Sequence, residues 1–226
     1  MQTDSNLKQA EQIKKACCEM SIRLTDQQQR TLLEYLSQLL KWNKTYNLTA
    51  IRDPEQALIQ HIFDSLAVIG PLHDYFKSRD LKQPRILDVG SGPGLPGVVI
   101  ATIMQDIDVT CVDTVEKKMT FLRQAAGILG LSNLKTIHSR VEQLKTEPFD
   151  IVTSRAFSNL RSFAELSGDH VKKGGAMMAM KGKRPEQEIE ELEKNTNWIV
   201  DSIKELKVPQ LDAQRCLVWM KRKGTT

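Results

Sequence analysis

Residues 86–97, ILDVGSGPGLPG, place an acid and four glycines behind a short apolar run. Glycines at that density let a ligand come close to the backbone, and two chemistries use such a loop. In the first, Gly92, Gly94 and Gly97 form GxGxxG, and the bare N–H groups of the following helix receive a pyrophosphate. In the second, Gly90, Gly92 and Gly94 form GxGxG, which begins two residues after Asp88 at the carboxyl end of a strand. Pro93 and Pro96 each remove an N–H donor from the pyrophosphate cradle, and Asp88 sets negative charge beside an anion site. Both features favour a cationic nucleoside ligand, S-adenosylmethionine (AdoMet), over a dinucleotide. Asp113, about 20 residues beyond the loop, stands where an acid meets ribose hydroxyls in either case. A turn needed only for helix–sheet packing is the third and weaker reading.

Methyl transfer from a sulfonium is an in-line displacement, so positioning does much of the work. The acceptor side would be supplied by FDIVTSRAFSNL (149–160), which offers Ser154, Arg155, Phe157 and Asn159: a charge, a ring and two polar groups. It lacks the Asn/Asp-Pro-Pro-Tyr sequence of amine methylation. None of Cys17, Cys18, Cys111 and Cys216 falls where a thiolate nucleophile would serve this loop. A ring nitrogen with a free lone pair, such as N7 of guanine, fits a site without an evident base. Lys181, Lys183 and Arg184 follow the fifth strand on the ligand edge and suit RNA phosphates. Lys221, Arg222 and Lys223 read as a solvated strand end. His61 and Asp64, one helical turn apart, are equally a functional pair or an ordinary contact. Trp42 and Tyr46 read as packing residues, and Cys17-Cys18 as core.

These groups need elements to hold them. Residues 1 to about 72 read as helical. Thr25 to Gln28 has the form of a capping box before Leu32, Leu33, Leu36, Leu39 and Leu40 at helical spacing. Asp53-Pro54 starts a second helix over 55–69, with Ile59, Ile62, Phe63 and Leu66 inward. From Arg85 the pattern changes to RILDV, a helix over 95–105, DVTCVD, KKMTFLRQAAGILG, LKTIHS, FDIVTS, a helix over 160–171 and AMMAMK. That alternation predicts βαβ units on a parallel sheet. WIVDSIKELKV and QRCLVWMKRK then form an antiparallel hairpin joined by a short turn around residues 209–212. The boundary between a helical cap (1–80) and the sheet domain (81–226) falls near 78–84, within one compact body.

The chain has 226 residues, 40% of them hydrophobic, enough for one sizeable α/β core with a small appended element. Its net charge of +4 is compatible with a polyanionic partner without requiring one. No apolar stretch approaches the roughly 20 residues of a membrane span, and the polar start MQTDSNLKQAEQIKK has no secretion-signal core. The cysteines form no CxxC pair, which favours a reducing cytoplasm and argues against a metal site.

LLKWNKTYNLTAIRDP (39–54), HIFDSLAV (61–68), RILDVGSGPGLPGVVIA (85–101), VDTVEKKMTFL (112–122), SRVEQL (139–144), FDIVTSRAFSNL (149–160), MKGKRPEQEI (180–189) and VPQLDAQRCLV (208–218) together carry a resemblance. The sequence resembles the bacterial ribosomal RNA small subunit methyltransferase G family, also called glucose-inhibited division protein B, from about residue 24 to 221. The resemblance implies a class I AdoMet-dependent, Rossmann-like fold: a mostly parallel seven-stranded sheet with an antiparallel C-terminal hairpin and a helical N-terminal cap. It implies a cytoplasmic enzyme that methylates N7 of a guanine in 16S ribosomal RNA, on free RNA or a small-subunit assembly particle. AdoMet contacts carry over onto Gly90, Leu95, Val141, Glu142 and Arg155, beside Asp113 from the spacing. Val141 and Glu142 suit the adenine edge. Arg155 and Lys181 are the candidate catalytic or RNA-side groups, and a monomer without metal or membrane attachment is expected. A methyltransferase acting on a protein or small molecule, a dinucleotide-dependent oxidoreductase and a non-catalytic RNA-binding module are the alternatives.

Overall fold

The computed structural model describes residues 2–155 and 157–224. Helix α1 (Gln2–Glu19) leads into α2 (Asp26–Tyr46), which begins at the expected capping box. The Thr25 hydroxyl accepts from the Gln28 N–H at 3.1 Å, and the Gln28 side chain accepts from the Thr25 N–H at 2.9 Å. Leu32, Leu36 and Leu39 are buried, with Leu33 and Leu40 partly so. Cys17 is buried, whereas Cys18 is exposed, so only one of that pair is core.

The second predicted helix starts as expected, with Asp53 accepting from the Gln56 N–H at 2.8 Å. It then changes its winding. An α-turn, α3 (Pro54–Ala57), passes into a π-helical stretch over Leu58–Phe63, then α4 (Asp64–Leu66), before α5 (Ile69–Ser78). The wider π winding, a feature that recurs at functional sites, sits where the chain presents Gln60, His61 and Asp64.

The strands are β1 (Arg85–Val89), β2 (Asp108–Asp113), β3 (Leu134–His138), β4 (Phe149–Ser154), β5 (Val171–Lys181), β6 (Trp198–Glu205) and β7 (Cys216–Arg222). They form one sheet in the order β3-β2-β1-β4-β5-β7-β6. The first five are mutually parallel, and β7 inserts antiparallel between β5 and β6. Strand order reverses between β1 and β4, and open α/β sheets bind ligands at the carboxyl ends of such strands.

Alternation along the strands divides the core in two. Ile86, Cys111, Ile151, Met178 and Leu217 face the helices α1–α5 together with α6 (Gly97–Ile103) and α7 (Glu116–Leu129). Leu87, Val89, Val152 and Met177 face α8 (Leu160–Ser167) and α9 (Glu186–Asn195). Tyr75 of α5 stacks on Trp219 of β7 with centroids 4.8 Å apart, so the N-terminal helices cover the antiparallel end of the sheet. Two expectations need correction. Helix α9 was not anticipated, because its one buried residue, Leu192, leaves almost no apolar periodicity. The link from β6 to β7 runs from residue 206 to 215 rather than through a tight turn.

Candidate active site

The glycine loop leaves β1 and is fastened by hydrogen bonds on every side. Gly90 and Ser91 donate to the Val112 carbonyl at 2.8 and 3.2 Å. Gly92 donates to Asp113 Oδ2 at 2.8 Å, and Asp113 Oδ1 accepts from the Val115 N–H at 2.8 Å. Asp113 therefore ties the loops after β1 and β2 together, and it is only 8% exposed. At Gly94, φ is 106° and a Cβ would lie 2.4 Å from Leu122 Cδ1, so the loop can lie flat on α7 only with glycine there. The Tyr35 hydroxyl of α2 donates to the Pro93 carbonyl at 2.9 Å, and Leu95 is buried in the core.

Asp88 sits behind the loop. Its carboxylate is fully buried, and Oδ2 accepts from the Gly97 N–H at 2.8 Å, at the first residue of α6. The N-terminus of α6, where a pyrophosphate would sit in the GxGxxG register, is thus occupied by the protein's own acid. Burial pushes the Asp88 carboxyl up to about 7, with the Gly97 hydrogen bond and the Arg155 charge opposing. Asp88 Oδ2 faces Gly97 and Cys111, and its buried Oδ1 has no hydrogen-bond partner among the described residues. Gly90 is the exposed residue of that mouth, and nothing lies within 4 Å of where its Cβ would be.

Across the switch point, Arg155 leaves β4 toward a cavity of about 390 Å³ lined by Gln60, His61, Asp64, Lys181 and Arg215, among others. Arg155 Nη1 donates to the Gln60 carbonyl at 3.1 Å and pairs with Asp64 Oδ2 at 3.4 Å. Arg215 Nε pairs with Asp64 Oδ1 at 2.8 Å. Lys181 pairs with Glu188 at 2.8 Å. Of the two readings of His61 and Asp64, the structure gives separate partnerships, since His61 Nε2 is 3.1 Å from Thr49 Oγ1 while Asp64 takes the two arginines. Burial first, then the Arg155 charge, pull His61 down to about 4, so the ring is neutral at pH 7. A larger cavity of about 1070 Å³ lies away from these groups, between α5, the α1–α2 link and the end of β6.

A family model described as rRNA small subunit methyltransferase G matches residues 28–218. The protein of that name from Bordetella pertussis is 51% identical over 214 residues, covering 94% of this chain and 93% of its own length. Its namesake from Leptothrix cholodnii is 51% identical over 198 residues, 88% of each. The chain belongs to the rRNA small subunit methyltransferase G family. Solved structures share the fold at low identity. A ribosomal protein L11 methylase from Lactobacillus delbrueckii superposes with TM-score 0.53 at 13% identity, over 76% of this chain and 80% of that one. An rRNA methylase from Streptococcus thermophilus gives 0.50 at 17%, over 68% and 95%. The sheet is thus that of the Rossmann-like methyltransferases.

Within this family member, the residues singled out from the sequence divide into two sets. Asp113 ends β2, and Gly90, Val141, Glu142 and Arg155 follow the carboxyl ends of β1, β3 and β4, with Glu142 exposed and the Val141 carbonyl held by His170 Nε2 at 2.7 Å. Several others have structural duties. Asn159 caps α8 by accepting from the Ser162 N–H at 2.7 Å, and Phe157 packs on Phe163 at 5.2 Å. Trp42 lies against Tyr46 and Phe121, as packing residues would. Helix α9 brings Glu186 to Arg184 and Glu188 to Lys181, which neutralises much of the basic cluster after β5. Lys221 pairs with Asp201, and Lys223 donates to the carbonyls of Glu193 and Thr196, at the edge of the sheet opposite the loop. Arg222 donates to the Gly168 carbonyl there and lies over the Trp198 ring. Arg215, Gln60 and Thr49 were not anticipated in any role, although Thr49 and Arg215 lie in the stretches that carry the family resemblance.

Proposed function

We propose that this chain uses AdoMet to methylate N7 of a guanine in 16S ribosomal RNA, as free RNA or within a small-subunit particle. The observation that carries the cofactor half is the Asp88–Gly97 hydrogen bond at 2.8 Å, which closes the helix end a dinucleotide would need. The open face at Gly90 and the absence of any demand for phosphate donors fit a ligand that ends in a sulfonium and an amino acid. Gly90, Leu95 and Asp113 would hold its ribose and amino-acid parts, chiefly through backbone, and Val141 and Glu142 its adenine. AdoMet supplies an electrophilic methyl group on a positively charged sulfur.

Everything else falls to the chain's own residues. Guanine N7 has a free lone pair, so no proton need be removed before attack. In keeping with that, burial holds His61 down at about 4, which makes it a weak base, and its Nε2 lies against Thr49. Arg155, Arg215 and Lys181 line the cavity next to the cofactor side and offer donors to the acceptor nucleotide. We read residues 1–80 as a cap that helps to dock RNA and 81–226 as the methyltransferase domain, joined by contacts such as Tyr35 to Pro93 and Arg155 to Asp64. We also read the protein as a cytoplasmic monomer; no helix among the described residues is long and apolar enough to cross a membrane.

The test is chemical. Borohydride and aniline cleave RNA at 7-methylguanosine, so 16S RNA from a strain lacking the gene should resist cleavage and regain it after treatment with purified protein and AdoMet. Cleavage that persists in the deletion strain refutes the assignment. Thermal protection by NADH in place of AdoMet would refute the cofactor reading.

A further inference from the structure

One carboxylate serves two guanidinium groups in the wall of the acceptor-side cavity. Asp64, on α4, is 3% exposed. Its Oδ1 takes Arg215 Nε at 2.8 Å, and its Oδ2 takes Arg155 Nη1 at 3.4 Å. Second anchors fix the rest of each arginine. Arg155 Nη1 also reaches the Gln60 carbonyl of the π-helical stretch, at 3.1 Å, and Arg215 Nη1 donates to the Gln214 carbonyl at 2.8 Å. The three residues come from α4, the loop after β4 and the link before β7, and they meet nowhere else in the chain.

Two like charges do not stay side by side unaided, and a guanidinium carries five donors in a rigid fork. The contacts described occupy Nη1 of Arg155 and Nε and Nη1 of Arg215. Both side chains are still 21% and 24% exposed, and both line the cavity. Of the other charged groups facing it, Lys181 is bound to Glu188 and His61 is held by Thr49. The remaining donors, the Nε and Nη2 fork of Arg155 and Nη2 of Arg215, suit the oxygens of a phosphate, which accepts paired N–H donors from arginine.

We propose that Asp64 is a positioning residue that locks Arg155 and Arg215 together so that their unused donors hold a phosphate oxygen of the acceptor nucleotide. This rests on the methyl-transfer reading. Asp64 itself touches no substrate; it acts through the two arginines. Two features of the site follow. The acid must be buried, because a solvated carboxylate would not hold both partners in one geometry. It must also be charged, because an amide cannot pair with two cations.

The experiment measures methylation of small-subunit particles from the deletion strain by wild type, Asp64→Asn, Arg215→Ala and the double variant, with AdoMet affinity and RNA binding across salt. For Asp64→Asn we expect AdoMet affinity within twofold of wild type and kcat/KM for the particle at least tenfold lower, mostly through KM. The slope of log K against log salt should fall by roughly 0.7, the loss of one phosphate contact on single-stranded RNA. The double variant should lose clearly less than the product of the two single losses, the remainder being Arg155's share, and Asp64→Glu should restore part of the loss. Fully additive losses, or an unchanged salt slope, overturn the proposal, as does an unchanged KM. If Asp64→Asn fails to melt cooperatively, the comparison of Asp64→Glu with and without Arg215→Ala decides by the same additivity criterion. Wild-type protein that makes no 7-methylguanosine refutes the methyl-transfer reading instead; wild-type activity with an unaffected Asp64→Asn refutes only this inference.

Discussion

Substituting Gly97 by alanine tests the loop architecture at its tightest point. A Cβ there would sit 2.3 Å from Cys111 Sγ, 2.9 Å from Asp88 Oδ2 and 3.4 Å from Val109 Cγ1. Cys111 is fully buried, so its sulfur has no solvent to swing into. Overpacking a core costs about 1–3 kcal/mol. A hydrogen bond to a charged group contributes about 1.5–3 kcal/mol, and the Gly97 N–H to Asp88 bond is in the path of any relief. A combined loss of about 3 kcal/mol is therefore expected, which for a chain of this size lowers Tm by about 6–12 °C. The assay is thermal or urea unfolding of Gly97→Ala, Cys111→Ala and the pair. Cys111→Ala removes the atom at 2.3 Å, so the double variant should be more stable than the sum of the single losses by at least about 1 kcal/mol. A Gly97→Ala protein that melts within 2 °C of wild type, or strictly additive losses, would refute the packing argument.

Other consequences can be checked in parallel. At Gly90, φ is 64° with nothing within 4 Å of a Cβ, so Gly90→Ala should lose only about 1–2 kcal/mol by urea unfolding. Gly90→Arg should keep the fold yet abolish AdoMet binding by calorimetry; unchanged affinity would remove the loop mouth from the site. Tyr35→Phe leaves the Pro93 carbonyl without its 2.9 Å donor and should cost about 1–3 kcal/mol, with weaker AdoMet binding because the loop is loosened. His61 and Asp88 should tilt stability oppositely with pH. His61 is held at about 4 against 6.5, so the unfolded chain takes the proton first and stability drops as pH falls from 6.5 toward 4. Asp88 is raised from 3.8 to about 7, so the folded state keeps the proton longer and stability drops as pH rises through that window. His61→Gln should thus gain on wild type toward low pH, and Asp88→Asn toward neutral pH, in urea midpoints; parallel curves would contradict both assignments.

The elements with strong periodicity could be read from the chain. The capping box, the parallel strands and the glycine loop rest on local signals, and each occurs where its residues predict it. Helix α9 escaped because a helix that buries only Leu192 has no apolar stripe to detect, and the basic cluster beside it then looked uncompensated. The π winding escaped for a different reason: it is a shift in hydrogen-bond register that side-chain types do not encode. Asp88 lies in the right loop, but the placement of its Oδ2 against Gly97 at the start of α6 depends on the strand's alternation against Cys111. Asp64 and Arg215 are separated by 151 positions, and only the insertion of β7 beside β5 makes them neighbours.

That separation also orders events in time. A chain is made from its N-terminus at roughly 5–20 residues per second, so about 8–30 s pass between the synthesis of Asp64 and that of Arg215, 151 positions later. Until then, β7 has not entered the sheet, Trp219 has not reached Tyr75, and the second arginine is missing from the cavity wall. The glycine loop and the first four parallel strands, which end at Ser154, are made earlier, and β5 follows by Lys181. A nascent chain can therefore carry a complete glycine loop while the wall of the Arg155 cavity still lacks Arg215. If Arg215 serves the acceptor as proposed, the acceptor side is completed only when β7 enters the sheet.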